Sequence, residues 1–317
     1  MGDVIHNFPV VSDIRRHFPN AQIDWVTESA YVPMVRLHPE VTAVQSVSLR
    51  NLKRAIFSLP MWRTLREDRA RLSRQNYDLV IDTQGLVKSA IVARWAGAPI
   101  AGYTRVVARE PLAARAYAHT YNIAKNQHAV ERNRQLAAAA LGYTLDTAPD
   151  YGLHRQTPIT TPVSGTMPTV VLLHATSRDN KKWPLPSWRE LVRHLNEAGY
   201  AVSLPWGSAR EKKMSEEIAI GHAHVNVPAS LSLTAAAALL QDAVAVVGVD
   251  TGLSHLAVAL NRPTIGLYIT TAPALTGLYG GTHAINLGGG SELEPANVSI
   301  DAVFAALAPH LAAKNAA

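Results

Sequence analysis

Asp250, Thr251, Gly252 and His255 stand together where the β-branched run Val244–Val249 ends and an apolar helical pattern begins at Leu253. A parallel strand running into a helix N-terminus leaves backbone N–H groups without intrahelical acceptors and presents the positive end of the helix dipole, which is a natural anion site. Asp250 is unsuited to a phosphate but well suited to sugar or ribose hydroxyls, so the set fits a nucleotide-sugar better than a bare phosphate. A helix cap with a satisfied histidine is the plainer reading of the same residues. A second group lies in LLHATSRDNKKWP (172–184), where Thr176 and Ser177 bring hydroxyls and Lys181 an ammonium to one connection. This is ordinary equipment for a diphosphate, although solvated loop charges would look the same. The glycine spacing of a phosphate-binding ATPase loop is absent. In LPWGSARE (204–211), Glu211 is placed to accept from ribose hydroxyls or, equally, to serve as a first-turn carboxylate favoured by the helix dipole.

The rest of the chain offers less. Asp3 stands where a helix begins and reads locally as a cap. Asp82, in DTQG (82–85) beyond the apolar run Leu79–Ile81, reads as an organiser of its own loop. No HExxH spacing is present, His222 and His224 have no evident third ligand, and there is no Gly-x-Ser-x-Gly elbow.

These groups need a scaffold that ends strands side by side. Short apolar runs at Ile23–Val26, Val44–Val47, Leu79–Ile81 and Ile100–Tyr103 alternate with helical or basic stretches, and a regular helix covers Arg132–Leu141. TPITTPVSGTMP (157–168) reads as a linker. The alternation restarts at Thr169–Leu173 and continues through strands at Ala201–Leu204, Ala243–Val249 and Thr264–Leu267, with helices between them. Glycine-rich 277–290 reads as a surface loop, and a last helix runs from about Val298 to Ala316. The rhythm predicts an α/β chain of two doubly wound parallel-sheet domains. Two such domains flanking a linker would face across a cleft, a preferred position for a ligand.

The 317 residues exceed what one core usually organises, and zero cysteines exclude disulfides. No signal-like segment opens the chain, and no apolar stretch is long enough to span a bilayer. Residues 1–160 hold 20 Lys+Arg against 13 Asp+Glu, whereas 161–317 hold 10 against 11. Eight basic residues fall within Arg50–Arg74, a one-sided field suited to a polyanion or an anionic surface. That stretch is poor in stacking residues and matches no nucleic-acid reader.

Several motifs in order carry a resemblance: MGDVIH (1–6), DTQGLVKSA (82–90), AREPLA (108–113), HAVERNRQL (128–136), LHATSRDNKKWP (173–184), LPWG (204–207) and DTGLSHLAVAL (250–260). With them the chain resembles the bacterial lipopolysaccharide heptosyltransferases, glycosyltransferase family 9, which have the GT-B fold of two Rossmann-like domains. The HATSRDNKKWP segment favours the type I enzymes over type II, which typically carry a PGAEFGPAKRWP-like segment there. The resemblance implies inverting, metal-independent transfer of L-glycero-D-manno-heptose from an ADP-activated donor to the Kdo of the lipid A inner core, with no cofactor.

By the same resemblance Asp3 corresponds to the catalytic base. Thr176, Ser177, Lys181, Glu211, Leu231, Asp250, Thr251, Gly252 and His255 correspond to the donor site. Leu231 stands where the family often has methionine. Arg50, Lys53, Arg54 and Arg109 correspond to acceptor-binding residues, and Asn51 replaces a basic residue found in some members. It further implies an N-terminal acceptor domain (1–156), a linker (157–168), a C-terminal donor domain (169–296) and a last helix (297–317) packing back on the N-terminal domain. The enzyme is expected as a monomer at the anionic inner face of the cytoplasmic membrane, without a nucleic-acid partner. Family members usually begin earlier, with a strand and turn before the methionine of MGDV, so the first strand of the N-terminal domain is expected to be missing here. A misassigned start codon would explain this. The alternatives are a type II or other GT-B transferase, or, from another class, a non-enzymatic sugar- or nucleic-acid-binding protein.

Overall fold

The computed structural model describes residues 1–48, 59–153, 167–176 and 178–312. They form two compact units: His6–Gly152, and Leu153–Ala317 together with Met1–Ile5. The N-terminal domain is expected over 1–156; in these units Met1–Ile5 group with the C-terminal residues. The chain opens with two helices, α1 (Gly2–Ile5) and α2 (Phe8–His17). Pro9 falls in the first turn of α2, where its missing N–H costs nothing. Val4 and Ile5 are buried, and α1 packs on a helix of the C-terminal unit.

In the N-terminal unit, β1 (Asp24–Glu28) is followed by α3 (Val32–Val35) and pairs in parallel with β2 (Ala43–Val47). After α4 (Leu59–Ser73) come β3 (Val80–Ile81), α5 (Val87–Trp95), β4 (Ile100–Tyr103), β5 (His119–Tyr121) and α6 (Ala129–Leu141). Strands β3, β4 and β5 form a second parallel sheet. Among the described residues the unit thus holds a two-stranded and a three-stranded sheet rather than one continuous sheet. β5 is an addition to the strands expected. The described interior is tied by an ion pair. Arg134 of α6 meets Asp13 of α2 through Nε–Oδ2 at 2.7 Å and through the Nη2–Oδ1 hydrogen bond at 3.1 Å, both side chains 2% exposed.

The C-terminal unit has one six-stranded parallel sheet. Its elements are β6 (Thr169–Leu173), α7 (Leu185–Glu197), β7 (Ala201–Ser203), α8 (Ala209–Ala219), β8 (Val225–Asn226), α9 (Leu233–Asp242), β9 (Ala245–Val249), α10 (Gly252–Ala259), β10 (Thr264–Tyr268), α11 (Pro273–Thr276), β11 (Ala284–Gly288) and α12 (Ile300–Ala312). Strand order is β11-β10-β9-β6-β7-β8, so the winding reverses between β6 and β9. Ligands of open α/β sheets bind beyond the strand ends at such a reversal. β6, β9 and β10 read as near-continuous apolar runs because both faces are covered by helices. Gly248 of β9 is required by close approach, since a Cβ there would collide with Ser254 Oγ of α10.

One expectation is corrected in this unit. The glycine-rich 277–290 segment contains β11, which pairs with β10 from Thr264↔Ala284 to Tyr268↔Gly288. The last helix, α12, is described as far as Ala312. Val303, Leu307 and Leu311 of α12 belong to the core of the C-terminal unit, beside α7, β9, β10 and β11. Its apolar face completes one side of that sheet, which would otherwise be left wet. The expected linker falls almost wholly outside the described residues, as does the end of the last helix beyond 312.

Candidate active site

Three side chains converge on Asp250 at the reversal point. Lys181 Nζ lies 2.5 Å from Asp250 Oδ2, Thr271 Oγ1 donates to the same oxygen at 3.2 Å, and Thr176 Oγ1 donates to the Asp250 carbonyl at 3.2 Å. They come from three connections: after β6 (Thr176, Lys181), after β9 (Asp250) and after β10 (Thr271). Lys181 and Asp250 are mostly buried, which strengthens their attraction relative to a surface pair. The loop that carries Lys181 is anchored two residues on by Trp183, which is buried, stacks edge-on against Trp188 with centroids 5.0 Å apart, and donates from Nε1 to Val298 O at 2.9 Å. Ser177 lies outside the described residues.

Thr251 is the N-cap residue of α10 with an extended backbone, and its side chain makes no capping bond, so the plain cap reading does not describe it. Gly252 opens the helix, and Met1 packs over it: a Cβ on Gly252 would lie 2.6 Å from Met1 Cβ. His255, one turn in, is buried, and a Cβ on Gly2 would lie 3.7 Å from its Cδ2. α1 is therefore seated on the first turns of α10. Asp3, exposed and adjacent to Gly2, is held beside α10 within the same unit. Sequence reading missed this seating because it rests on packing between segments far apart in the chain.

Beside this group a pocket of about 270 Å³ is lined by Thr176, Glu211, Lys182, Arg210, Asp179 and His174, among others. Glu211 has a local bond as well: Ser208 Oγ accepts from its N–H at 3.3 Å, and its Oε2 accepts from Gly207 N at 2.7 Å. Glu211 is thus a first-turn carboxylate that also lines the pocket. Asp179 bridges Lys182 at 2.8 Å and Arg210 at 3.0 Å, and these hydrogen bonds pull its carboxyl below the usual range. Leu231 is half-buried on the segment before α9. His174, Trp183 and Thr271 were missed by sequence reading. Each follows within a few residues of a strand end or of Lys181, which is the signal that could have found them.

His174 is buried, shares a 2.7 Å hydrogen bond between Nε2 and Ser215 Oγ, and has its pKa lowered by burial to about 4. The unfolded chain binds this proton near the ordinary histidine value, so it takes up more protons than the folded one between about pH 6.5 and 4. The stability contributed here is present above that window and lost as the pH falls through it. Urea midpoints should drop across the window in the parent and drop less in His174→Gln. Parallel slopes would show that His174 does not titrate this way.

The basic residues expected on the acceptor side are in the N-terminal unit or beyond description. Arg50, Lys53 and Arg54 lie outside the described residues. Arg109 is exposed on a loop docked against Gly85, whose φ of +63° explains the glycine. Asp82 organises that region: it accepts from Gln84 N at 3.0 Å, Gly85 N at 3.3 Å, Ser89 Oγ at 2.8 Å and Tyr117 OH at 2.8 Å. Tyr117 is correspondingly pushed far up in pKa, first by burial and then by the Asp82 charge.

Residues 65–298 match the family described as Glycosyltransferase family 9 (heptosyltransferase). The lipopolysaccharide heptosyltransferase 1 of Pseudomonas aeruginosa is 44% identical over 287 residues, covering 88% of this chain and 79% of its own. The structure of the E. coli heptosyltransferase WaaC with ADP superposes with a TM-score of 0.91 at 39% identity, covering 98% of this chain and 97% of that one. The same enzyme with ADP-2-deoxy-2-fluoro heptose gives 0.88 at 38% identity, covering 98% and 96%.

Proposed function

The chain belongs to glycosyltransferase family 9, the heptosyltransferases, and from that premise we propose that it transfers L-glycero-D-manno-heptose from an ADP-activated donor to the Kdo of the lipid A inner core. The observation that carries the donor assignment is the convergence of Lys181, Thr176 and Thr271 on Asp250, at the sheet reversal and next to the Glu211 pocket. Lys181 moves to the diphosphate, with Thr176, Ser177 and His255 around it. Asp250 and the N-terminus of α10 at Thr251 and Gly252 receive the sugar and phosphate. Glu211 takes the ribose hydroxyls, and Leu231 packs near the adenine.

Asp3 accepts the proton of the acceptor hydroxyl as that oxygen attacks the anomeric carbon and the bond to ADP breaks, which inverts the configuration. Lys181, His255 and helix N–H groups stabilise the charge gathering on the departing ADP, so no metal is required. Arg50, Lys53, Arg54 and Arg109 hold the anionic acceptor. The setting is the cytoplasmic face of the inner membrane, supported by the basic excess of the first half.

Incubation with ADP-heptose and Kdo-lipid A in the presence of EDTA should release ADP and add the mass of one heptose to the acceptor. In calorimetry, Lys181→Ala should weaken ADP binding by about tenfold or more, as expected for a charge-assisted contact. Arg50→Ala with Lys53→Ala should raise the acceptor KM and leave ADP binding unchanged. No transfer, a rate that returns only with Mg²⁺, or equal losses of ADP affinity in both variants would each remove the corresponding part of the assignment.

A further inference from the structure

The N-terminal unit carries a face that donor chemistry leaves unused. The 104–116 segment after β4 is anchored by the buried residues Val107, Ala108 and Ala113. Other side chains of the segment stand outward: Val106 is 78% exposed and Leu112 56%, beside exposed Arg105 and Arg115. The turn Pro111–Ala116 packs against α5, whose inner side is Ala90, Val92 and Ala93. The outer side of α5 shows Lys88, Ile91 (50% exposed) and Arg94, at spacings of three residues and hence along one side of the helix. None of Lys88, Arg94, Arg105 and Arg115 is ion-paired among the described residues. The acidic residue on this loop, Glu110, is engaged locally, its Oε2 accepting from Val87 N at 2.6 Å.

We propose that this face docks on an anionic lipid bilayer. Val106 and Leu112 would enter the boundary between headgroups and acyl chains, while the four unpaired cations meet lipid phosphates. Single exposed aliphatic residues are common and need no explanation, but here three lie among unpaired cations on adjoining elements. Aliphatic side chains gain nothing from a nucleic-acid backbone, and stacking on bases requires aromatic rings, which the outward positions lack. Apolar burial combined with attraction to anionic headgroups is the pattern of interfacial binding. The inference rests on the reading above for its purpose, since a lipid-borne acceptor is met at a bilayer, but its test does not use transfer.

The full chain is sedimented with vesicles of phosphatidylglycerol and phosphatidylethanolamine, and with vesicles of phosphatidylcholine alone. The parent should bind the anionic vesicles and not the neutral ones, less strongly as NaCl is added. Val106→Asp with Leu112→Asp, and separately Arg105→Ser with Arg115→Ser, should each reduce lipid affinity at least tenfold. ADP binding and the thermal unfolding profile should be unchanged in both variants, the latter checking that the N-terminal unit still folds. Failure of the parent to bind the anionic vesicles, or full affinity in the Val106→Asp/Leu112→Asp variant, would overturn the proposal. So would preferential binding of a single-stranded RNA that depends on Arg105 and Arg115. A parent that does not bind ADP would instead count against the donor assignment and leave the vesicle result standing.

Discussion

Asp3→Asn should lower kcat by about 10²–10⁴, the usual worth of general-base assistance, while ADP affinity stays within a few-fold of the parent. The expectation follows from where α1 sits. Its buried side, Val4 and Ile5, fixes the backbone against the C-terminal unit, and Gly2 lies on His255, so the adjacent carboxylate is held next to α10. The substitution keeps size and polarity, and a purely structural role for Asp3 would lower the melting temperature and ADP affinity together. Turnover above about one tenth of the parent would remove Asp3 from the base role.

The second large effect is on stability. Asp13→Ala should destabilise the N-terminal unit by about 3–5 kcal/mol, because it leaves the Arg134 guanidinium buried without its bidentate partner. Arg134 would keep Glu131 at 3.1 Å and the Thr147 carbonyl at 2.8 Å, which are not enough to replace a fully desolvated carboxylate. Against a typical total of about 5–15 kcal/mol, the loss shows as a large drop in the denaturant midpoint. Asp13→Leu combined with Arg134→Met should be less destabilised than either single change, since apolar replacement of both partners removes the orphaned charge. A double variant as unstable as the sum of the singles would show that the pair itself, not the orphan, carries the energy.

Much of the C-terminal unit was legible because its strands are buried on both faces. Val244–Val249 and Thr169–Leu173 announce themselves as apolar runs, and the polar residues just beyond them stand at the reversal of the sheet. β11 was hidden because it is an edge strand with half-exposed residues that ends in Gly288 and is followed by Gly289 and Gly290, so its composition is that of a loop. The short strands β5 and β8 carry no periodicity to read. The placement of α1 and of α12 on the C-terminal unit depends on long-range packing that no local pattern encodes. Among site residues, Asp250, Lys181 and Thr176 are brought together as their types suggested. Thr271 was invisible because its role depends on the adjacency of β10 and β9, a fact of topology rather than spacing. Arg134, quoted above within a family motif, turns out to hold α6 to α2 rather than to face a ligand.

The contact between Lys181 and Asp250 also governs how the site trades ions. A lone ammonium beyond the strand ends would collect any small anion, inorganic phosphate included. Here the ammonium already has a counter-ion within the protein, so an entering phosphate must compete with Asp250 and then leave that carboxylate without a donor other than Thr271. A ligand that brings sugar hydroxyls along with its diphosphate resolves both sides of the exchange, because the hydroxyls donate to the carboxylate that Lys181 has left. ADP alone resolves only one side. The spent nucleotide should therefore be held less tightly than a non-transferable ADP-sugar, a difference that calorimetry reads directly, and the return of Lys181 to Asp250 would accompany its departure.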